Sequence, residues 1–249
     1  HLSIRRQRQM CIRDSHVPLA LLAGAVAGGL WGLIPAVLKA KLGAHEVITT
    51  MMLSYVASYL TSYMVNYPLK APGWVAQTVM VEPSAQLPSI LQPTQLSASI
   101  FVALVLVYLI SYVLENSTLG YEIRAVGLNP SAAESGGISV KRNIVLALTI
   151  SGAIAGIGGA GEVLGVHRRF IDGFSPGYGW DGIAVALVGR QNPVGIVFAA
   201  ILFGALRSGG MVMTRVTGVP LDIVIMLQAF VILFIAAPML VRYLIRRKV

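Results

Sequence analysis

Six stretches of about twenty mostly apolar residues constrain this chain more than any other feature of its sequence. A helix of about that length crosses the hydrocarbon core of a bilayer while satisfying its own backbone hydrogen bonds. The stretches are 17–38, 47–66, 96–114, 144–165, 194–213 and 221–240. They predict an all-α integral membrane protein, folded as a polytopic helical bundle.

The composition agrees with a membrane setting. Hydrophobic residues make up 56% of the 249 residues and charged residues 12%, and the mean hydropathy is +0.76. Soluble domains carry about twice that charged fraction. The net charge of +9 does not indicate nucleic acid, because the basic residues are not gathered on one solvated face. The single cysteine, Cys11, excludes an internal disulfide and a cysteine-cluster metal site.

The loops between the apolar stretches predict the topology, because cytoplasmic loops are enriched in lysine and arginine. A shorter apolar segment, 178–189, is predicted to be either a tilted span or a half-span that lines a cavity. If it counts as a span and loop 116–142 is cytoplasmic, most basic residues lie inside. Apart from those of the first 16 residues, the basic residues then left outside are Lys70, Arg168, Arg169 and Arg215. We therefore predict about seven transmembrane segments, one of them short or broken, and a cytoplasmic C-terminus.

The first residues, HLSIRRQRQMCIRDS, differ in composition from everything that follows. They are basic, they do not begin with methionine, and no small-residue cleavage site follows where a signal peptide would have one. We expect residues 1–16 to be a non-native or disordered leader and residues 17–249 to form the membrane domain. The alternative is a native cytoplasmic arm.

Small residues predict how the spans pack. Gly24, Gly28 and Gly32 recur every four residues in the first stretch. Gly152, Gly156 and Ala160 do the same in the fourth. Small residues at this spacing form a groove that lets another helix approach closely, so the pattern favours a tightly packed bundle.

The polar loop 116–142 cannot lie in hydrocarbon, and it carries the signals of a short helix. Asn129 is a favoured N-cap, and Pro130 fits the first helical position. Gly136 and Gly137 supply a left-handed ending. A helix of two turns is not stable alone, so it needs a partner or its neighbours. Its residues suit insertion into a groove on a peripheral protein, although an ordinary connector would look similar.

The sequence contains two patterns that resemble catalytic or cofactor-binding motifs, but neither fits its context. GIGGAG at 156–161 matches a dinucleotide pattern but lies in an apolar stretch with no strand before it. His45 begins a zinc-protease-like pattern, but Thr49 stands where the second histidine is required. The sequence contains no phosphate-binding loop of the P-loop type. We therefore predict that the chain is not an enzyme, and that any ATP it depends on is hydrolysed by another subunit.

Several segments resemble one transporter family. IRAVGLNPSAAE (123–134) with GISVKR (137–142) closely resembles the coupling loop of ABC-importer permeases for branched-chain amino acids, ribose-type sugars and nucleosides. SGAIAGIGGA (151–160) resembles the following helix of those permeases. The segments most similar to the nucleoside and simple-sugar branch are GAHEVITT (43–50), GYGWDGIAVALVGRQNP (177–193) and FGALRSGG (203–210). His45 departs from this branch, where asparagine is expected.

The resemblance implies a permease subunit in a bacterial inner membrane that translocates a nucleoside or simple sugar by alternating access. Its implied partners are a second permease subunit, cytoplasmic ATPases that carry ATP and magnesium, and an extracytoplasmic substrate-binding lipoprotein. The chain itself is expected to bind no cofactor, metal or nucleic acid. Relatives carry further N-terminal helices, so the chain is expected to be truncated. The residues implied in coupling to the ATPase are Gly127, Asn129, Pro130, Ala132, Ala133, Glu134 and Gly137.

Polar and aromatic residues near the outer ends of spans, and one cation inside a span, are candidates for the substrate path. They are Asn66, Tyr178, Trp180, Asp181 and Arg207. A nucleoside or sugar suits such contacts, and ionisable groups at membrane depth usually face a cavity or a partner. The alternatives are interfacial anchoring for Tyr178 and Trp180, and an ion pair for Arg207.

Two further alternatives remain open at this point. An ion-coupled secondary transporter could share the topology, although it would normally need more ionisable groups deep in the bundle. The proline-rich external loop 68–97 is either an ordered cap, where the binding protein docks, or a solvated linker.

Overall fold

The fold is described from a computed structural model of the chain. It describes residues 2–91, 94, 96–175, 177–220, 222–231 and 233–234. These residues divide into two units, His1–Phe174 and Ser175–Val249, which we describe separately. Within the described residues all regular elements are helical, and the only strand-like contacts are two isolated bridges. The predicted all-α class is therefore confirmed.

The first unit contains six α-helices. They are α1 (Leu2–Leu42), α2 (Glu46–Asn66), α3 (Ser99–Asn116), α4 (Thr118–Leu128), α5 (Pro130–Ser135) and α6 (Val140–Glu162). A π-helical turn, Val163–His167, extends α6 and ends at Arg168 in the left-handed conformation (φ 56°). Helix α1 begins at Leu2, so the segment expected to be a non-native or disordered leader is helical in the structure.

In the described part of the second unit there are three helices. They are α7 (Tyr178–Val188), α8 (Pro193–Thr217) and α9 (Asp222–Val231). With 11 residues, α7 is about 16 Å long at the usual helical rise, which is half of a bilayer core. Most of the second half of the sixth apolar stretch, 221–240, lies outside the described residues.

Among the described residues, four helical segments are long and apolar enough to cross a membrane. They are His16–Leu42, Ser99–Asn116, Val140–His167 and Pro193–Thr217. Helix α2 has the length of a span, 21 residues, but it is interrupted by serine, threonine and tyrosine side chains. Length and composition therefore establish a polytopic membrane protein.

The two small-residue repeats pack against each other, as predicted. Helices α1 and α6 run antiparallel, because Gly24 lies against Gly156 and Ala160 whereas Gly32 lies against Leu148 and Gly152. The contact is close enough to exclude even a methyl group. A Cβ on Gly24 would lie 2.8 Å from the Cβ of Ala160 and 2.9 Å from the carbonyl oxygen of Gly156. Dispersion between the two backbones holds this helix pair together, since hydrocarbon supplies no hydrophobic drive.

The loop predicted to be external forms an ordered cap over its described residues, 68–91, 94 and 96–97. Part of it runs antiparallel to the segment after α6, with Thr78 N donating to Phe170 O (2.9 Å) and Val81 N donating to Arg168 O (2.8 Å). Within the π-helical turn itself, the carbonyl of Leu164 accepts a hydrogen bond from Leu87 N at 3.1 Å. Backbone hydrogen bonds thus join this loop to the α6 extension and to the residues that follow it, which favours the cap over a solvated linker.

A salt bridge joins α1 to α2 across their short connection. Lys39 Nζ donates to Glu46 Oε2 at 2.6 Å. This hydrogen bond lowers the pKa of the Glu46 carboxyl below its ordinary value. Both side chains are partly exposed, 32% and 46%, so the pair orients the connection more than it stabilises the fold.

Replacing Gly156 with alanine should destabilise the protein, because the new Cβ would meet the backbone of Gly24 on α1. We expect a loss of about 1–3 kcal/mol in the free energy of unfolding, the usual cost of overpacking. Thermal unfolding of the purified protein in detergent measures it. Gly158→Ala is the matched control on the same helix, because nothing lies within 4 Å of its added Cβ. Equal stability of the two variants would contradict the close contact.

Candidate functional site

The short helix α5 in the loop between α4 and α6 forms with the caps predicted from sequence. Asn129 is extended (φ −156°) and its Oδ1 accepts a hydrogen bond from Ala132 N at 3.2 Å. Pro130 occupies the first helical position. The helix has six residues, so it is slightly shorter than the two turns expected.

The C-terminal end of α5 corrects one detail of the prediction. Gly136 is right-handed (φ −80°), and only Gly137 has a left-handed φ of +83°. Ile138 N donates to Ala133 O at 3.0 Å, and Gly137 N donates to Glu134 O at 2.9 Å. This pair of bonds is a Schellman ending, which needs one left-handed residue rather than two.

The residues implied in coupling divide into two groups by exposure. Ala133 is 6% exposed, so its methyl group faces the neighbouring helices and fastens α5 in place. The remaining six are exposed. They are Gly127, Asn129, Pro130, Ala132, Glu134 and Gly137. The structure therefore presents one continuous loop surface of small, polar and acidic residues.

Beneath α5, a buried asparagine ties α4 to α6. Asn143, in the first turn of α6, is 1% exposed. Its Nδ2 donates to Glu122 Oε2 on α4 at 2.8 Å and to Ser139 O at 3.1 Å. Sequence reasoning missed this contact. The sequence did contain a signal for it: an asparagine stands immediately before an apolar stretch. A buried amide needs hydrogen-bond partners, so such an asparagine predicts a polar contact.

Four of the five substrate-path candidates come together in the second unit. Arg207 NH1 on α8 donates to Asp181 Oδ2 on α7, forming an ion pair. The Arg207 guanidinium carbon also lies 4.8 Å from the centre of the Tyr178 ring, within cation–π range. The ion-pair alternative for Arg207 is thus realised within the chain.

These residues border a recess of about 190 Å³. Trp180, Asp181 and Arg207 line it together with Gln228 of α9, which is 7% exposed. Gln228 was not among the candidates, although it stands out as an amide in the middle of an apolar stretch. The recess combines an indole, an ion pair and an amide, which are groups that suit a polar, ring-containing solute.

Asn66, the fifth candidate, lies in the first unit with different partners. Asp172 Oδ2 accepts hydrogen bonds from Ser62 Oγ (2.8 Å) and from Asn66 Nδ2 (3.2 Å). Ser62 and Asn66 belong to α2, and Asp172 follows the extension of α6. Asp172 is 106 residues from Asn66, so only the fold brings the cluster together.

Glu162, near the end of α6, is also paired. Its carboxylate lies 3.6 Å from His167 Nε2 on the π-helical turn. In the described part of the chain, no three histidine, cysteine, aspartate or glutamate side chains are grouped as a metal site would require.

Comparisons with known proteins agree with these features. A family described as "Branched-chain amino acid transport system / permease component" matches residues 2–236. The chain is 41% identical over 234 residues to the guanosine ABC transporter permease protein NupP of Bacillus subtilis (strain 168), with 92% of this chain and 67% of that protein covered. It is 35% identical over 239 residues to the nucleoside ABC transporter permease protein NupB of Lactococcus lactis subsp. cremoris (strain MG1363), covering 92% and 65%.

A third relative has a different printed substrate. The glucose ABC transporter permease protein TsgB13 of Haloferax volcanii is 35% identical over 230 residues, with 88% of this chain and 60% of that protein covered. The chain therefore spans roughly two thirds of the length of these relatives, between 60% and 67%. No solved structure matches the chain.

Removing the Asn143 amide should loosen the α4–α5–α6 loop. We expect Asn143→Ala to lower the free energy of unfolding by about 1–3 kcal/mol, because it removes the buried amide that donates to Glu122 on α4 and to the carbonyl of Ser139. Thermal unfolding, together with the rate of proteolysis within 116–142, measures it. Glu122→Gln keeps an acceptor for the Asn143 amide and should change both measurements much less; an equal effect would contradict this assignment.

The Asp181–Arg207 pair should be energetically coupled. In a double-mutant cycle of Asp181→Asn and Arg207→Gln, we expect a coupling energy of about 0.5–3 kcal/mol, as for other contacting polar pairs. Thermal unfolding of the four proteins in detergent gives this value. The Asp181→Arg/Arg207→Asp exchange should restore part of the loss. Purely additive effects would show that the two side chains do not interact in solution.

Proposed function

Because this chain belongs to the family of permease components of branched-chain amino acid transport systems, we propose that it is the membrane-spanning subunit of an ATP-driven importer. It translocates its substrate by alternating access and leaves ATP hydrolysis to separate subunits. One structural observation carries this proposal: an exposed helix with capped ends, α5, attached to the first turn of a membrane-length helix.

Helix packing supports a crossing by α2 as well as by the more apolar helices. Helices α1 and α6 are antiparallel, so an even number of crossings must separate them. Helix α3 is long and apolar enough to cross, which requires α2 to cross too. With α1, α2, α3 and α6 in the first unit, and α7, α8 and the 221–240 segment in the second, the chain has seven spans, of which α7 is short.

The same arrangement gives the two sides of the membrane different tasks. The ends of α2 and α6 and the start of α3 meet at the cap formed by loop 68–97, where an extracytoplasmic binding lipoprotein docks. Loop 116–142 lies at the opposite end of α6, on the cytoplasmic side. The basic C-terminal residues share that side, in a bacterial inner membrane. Residues 17–249 then form the permease domain, preceded by a leader at 1–16.

Helix α5 is the contact with the ATPase. Its exposed residues enter a groove on the ATPase, and nucleotide-driven closure of the ATPase pair tilts the loop. Asn143 and Ala133 pass this motion to α6, and the glycine contact passes it to α1. The spans therefore move as rigid bodies, which is the usual way packed helices switch between two states. A second permease subunit completes the pathway.

The substrate proposed is a nucleoside. Both relatives with 92% coverage of this chain have nucleoside names, one of them for guanosine, whereas the glucose relative matches over less of the chain. The recess beside Trp180, Asp181, Arg207 and Gln228 provides an aromatic ring and hydrogen-bonding groups for such a molecule. The chain binds no cofactor itself; ATP and magnesium are held by its partner.

Enlarging an exposed residue of α5 should uncouple transport. We expect Ala132→Arg to reduce ATP-dependent guanosine uptake at least about tenfold, because a bulky charge at a close interface costs several kcal/mol. Uptake is measured in proteoliposomes that hold the whole transporter with its binding protein. Ala132 is exposed, so membrane insertion and thermal stability should be unchanged, and Ala132→Ser should transport normally.

Two results would overturn the proposal. Full uptake by Ala132→Arg would remove α5 from the ATPase contact. Guanosine uptake driven by an ion gradient without ATPase would instead favour a secondary transporter.

A further inference from the structure

Helix α2 has an unusual surface for a membrane-crossing helix. Tyr55, Tyr59, Ser62 and Asn66 are spaced at i, i+4, i+7 and i+11, so they share one face. Tyr55 is 58% exposed and Tyr59 is 75% exposed. We call this set the α2 face.

The two tyrosines lie too deep to be interfacial anchors. They are the tenth and fourteenth residues of a 21-residue helix, about 13 Å and 20 Å from its start at the usual helical rise. Tyrosines that anchor a span sit near the headgroups instead. These rings therefore lie within the hydrocarbon thickness, and the described residues of the first unit leave them largely uncovered.

The hydroxyl groups of α2 differ in how they are satisfied. Thr50, Ser54 and Thr61 donate to backbone carbonyls one turn back on the same helix. A tyrosine hydroxyl cannot reach its own backbone, and no hydrogen bond within the described chain satisfies Tyr55 or Tyr59. Lipid around them would leave both hydroxyls without partners, which hydrocarbon penalises.

A close helix–helix contact also fits this surface poorly. Tight packing between spans uses small residues, as α1 and α6 do here, whereas the α2 face presents large rings. Water can satisfy hydroxyl groups at this depth where a helix borders a water-filled cavity. The face would then border an aqueous pathway.

The outer end of the α2 face is already polar and open. Ser62 and Asn66 hold the carboxylate of Asp172 there. A recess of about 450 Å³ adjoins this cluster and is lined by Ser62, Tyr63, Asn66, Tyr67 and Lys70. The rings of Tyr63 and Tyr67 lie 5.0 Å apart beside it. Polar groups at the surface thus continue directly into aromatic groups at mid-depth on one helix.

We propose that the α2 face lines the water-filled substrate pathway and binds a nucleoside along it. The nucleobase stacks on the rings of Tyr55 and Tyr59, since every base has a planar face that aromatic side chains can hold. The ribose hydroxyls hydrogen-bond to the Ser62–Asn66–Asp172 cluster. This proposal rests on the proposed function and adds to it the helix, the residues and the part of the substrate that each contacts.

Water access at Tyr59 tests the pathway independently of transport. In the whole transporter, with Cys11→Ser in this chain, Tyr59→Cys and Leu60→Cys are treated with a membrane-impermeant, positively charged methanethiosulfonate. Leu60 is the matched control, because it lies at almost the same depth, is 44% exposed and points to a different side of α2. We expect Tyr59→Cys to react at least about tenfold faster, since hydrocarbon excludes the charged reagent. Equally slow reaction would place lipid or the second permease on the α2 face and overturn the proposal.

Substrate protection tests the nucleoside site. We expect guanosine, supplied with the binding protein and ATP, to slow the labelling of Tyr59→Cys severalfold, whereas Tyr59→Phe should keep guanosine uptake and Tyr59→Leu should lose most of it. Fast labelling that guanosine does not slow would overturn the binding of a nucleobase here. If the wild-type transporter takes up guanosine only with ATP but Tyr59→Cys reacts like Leu60→Cys, the proposed function stands and this inference fails. If wild-type uptake needs no ATP, the proposed function fails while fast, guanosine-sensitive labelling still supports the α2 face.

Discussion

The close backbone contact between α1 and α6 is the interaction on which the first unit depends. Two helices far apart in sequence meet through main-chain atoms, with Gly24, Gly28 and Gly32 against Gly152 and Gly156. The contact sets the relative direction of the two helices. The end of α6 then lies beside the cap formed by residues 68–97, and the start of α6 lies beside α4 and α5. The positions of the cap and of the α5 loop in this unit both depend on that one pair of helices.

The two ends of α6 are attached to their surroundings in different ways. At the start, a single buried amide, Asn143, connects α6 to α4. At the end, several backbone hydrogen bonds connect the π-helical turn and the residues after it to the cap. The cap is thus held through its main chain, which many sequences could provide, whereas the attachment of the other loop uses side chains, among them the Asn143 amide and the Ala133 methyl group. A subunit that receives motion at the loop and a binding protein at the cap would use this difference.

Local signals in the sequence were enough to predict the local structure. The glycine repeats, the Asn129 cap and the short length of α7 depend on residues within a few positions of each other, and the structure confirms each of them. Contacts between distant residues were not predictable in the same way. Asp172 meets Asn66, and Asn143 meets Glu122, only because helices have packed. The prediction that Gly136 is left-handed was wrong, because a Gly-Gly pair does not reveal which of its two glycines takes that conformation. The sequence showed that a charged Arg207 is energetically costly inside a span. Its partner Asp181 was not predictable in the same way, because it lies 26 residues away on another helix.

Both ends of α5 are closed by atoms that belong to the segment itself. Asn129 closes the first turn, and the Schellman bonds close the last. Its shape therefore depends on Asn129, Gly137 and the inward methyl of Ala133, and not on the side chains of Ala132 or Glu134. Residues 129–138 therefore supply both of the caps that their helix needs. Under the proposed function, two such transporters in one cell could differ at Ala132 or Glu134, and so bind different ATPases, without altering the fold that carries those side chains.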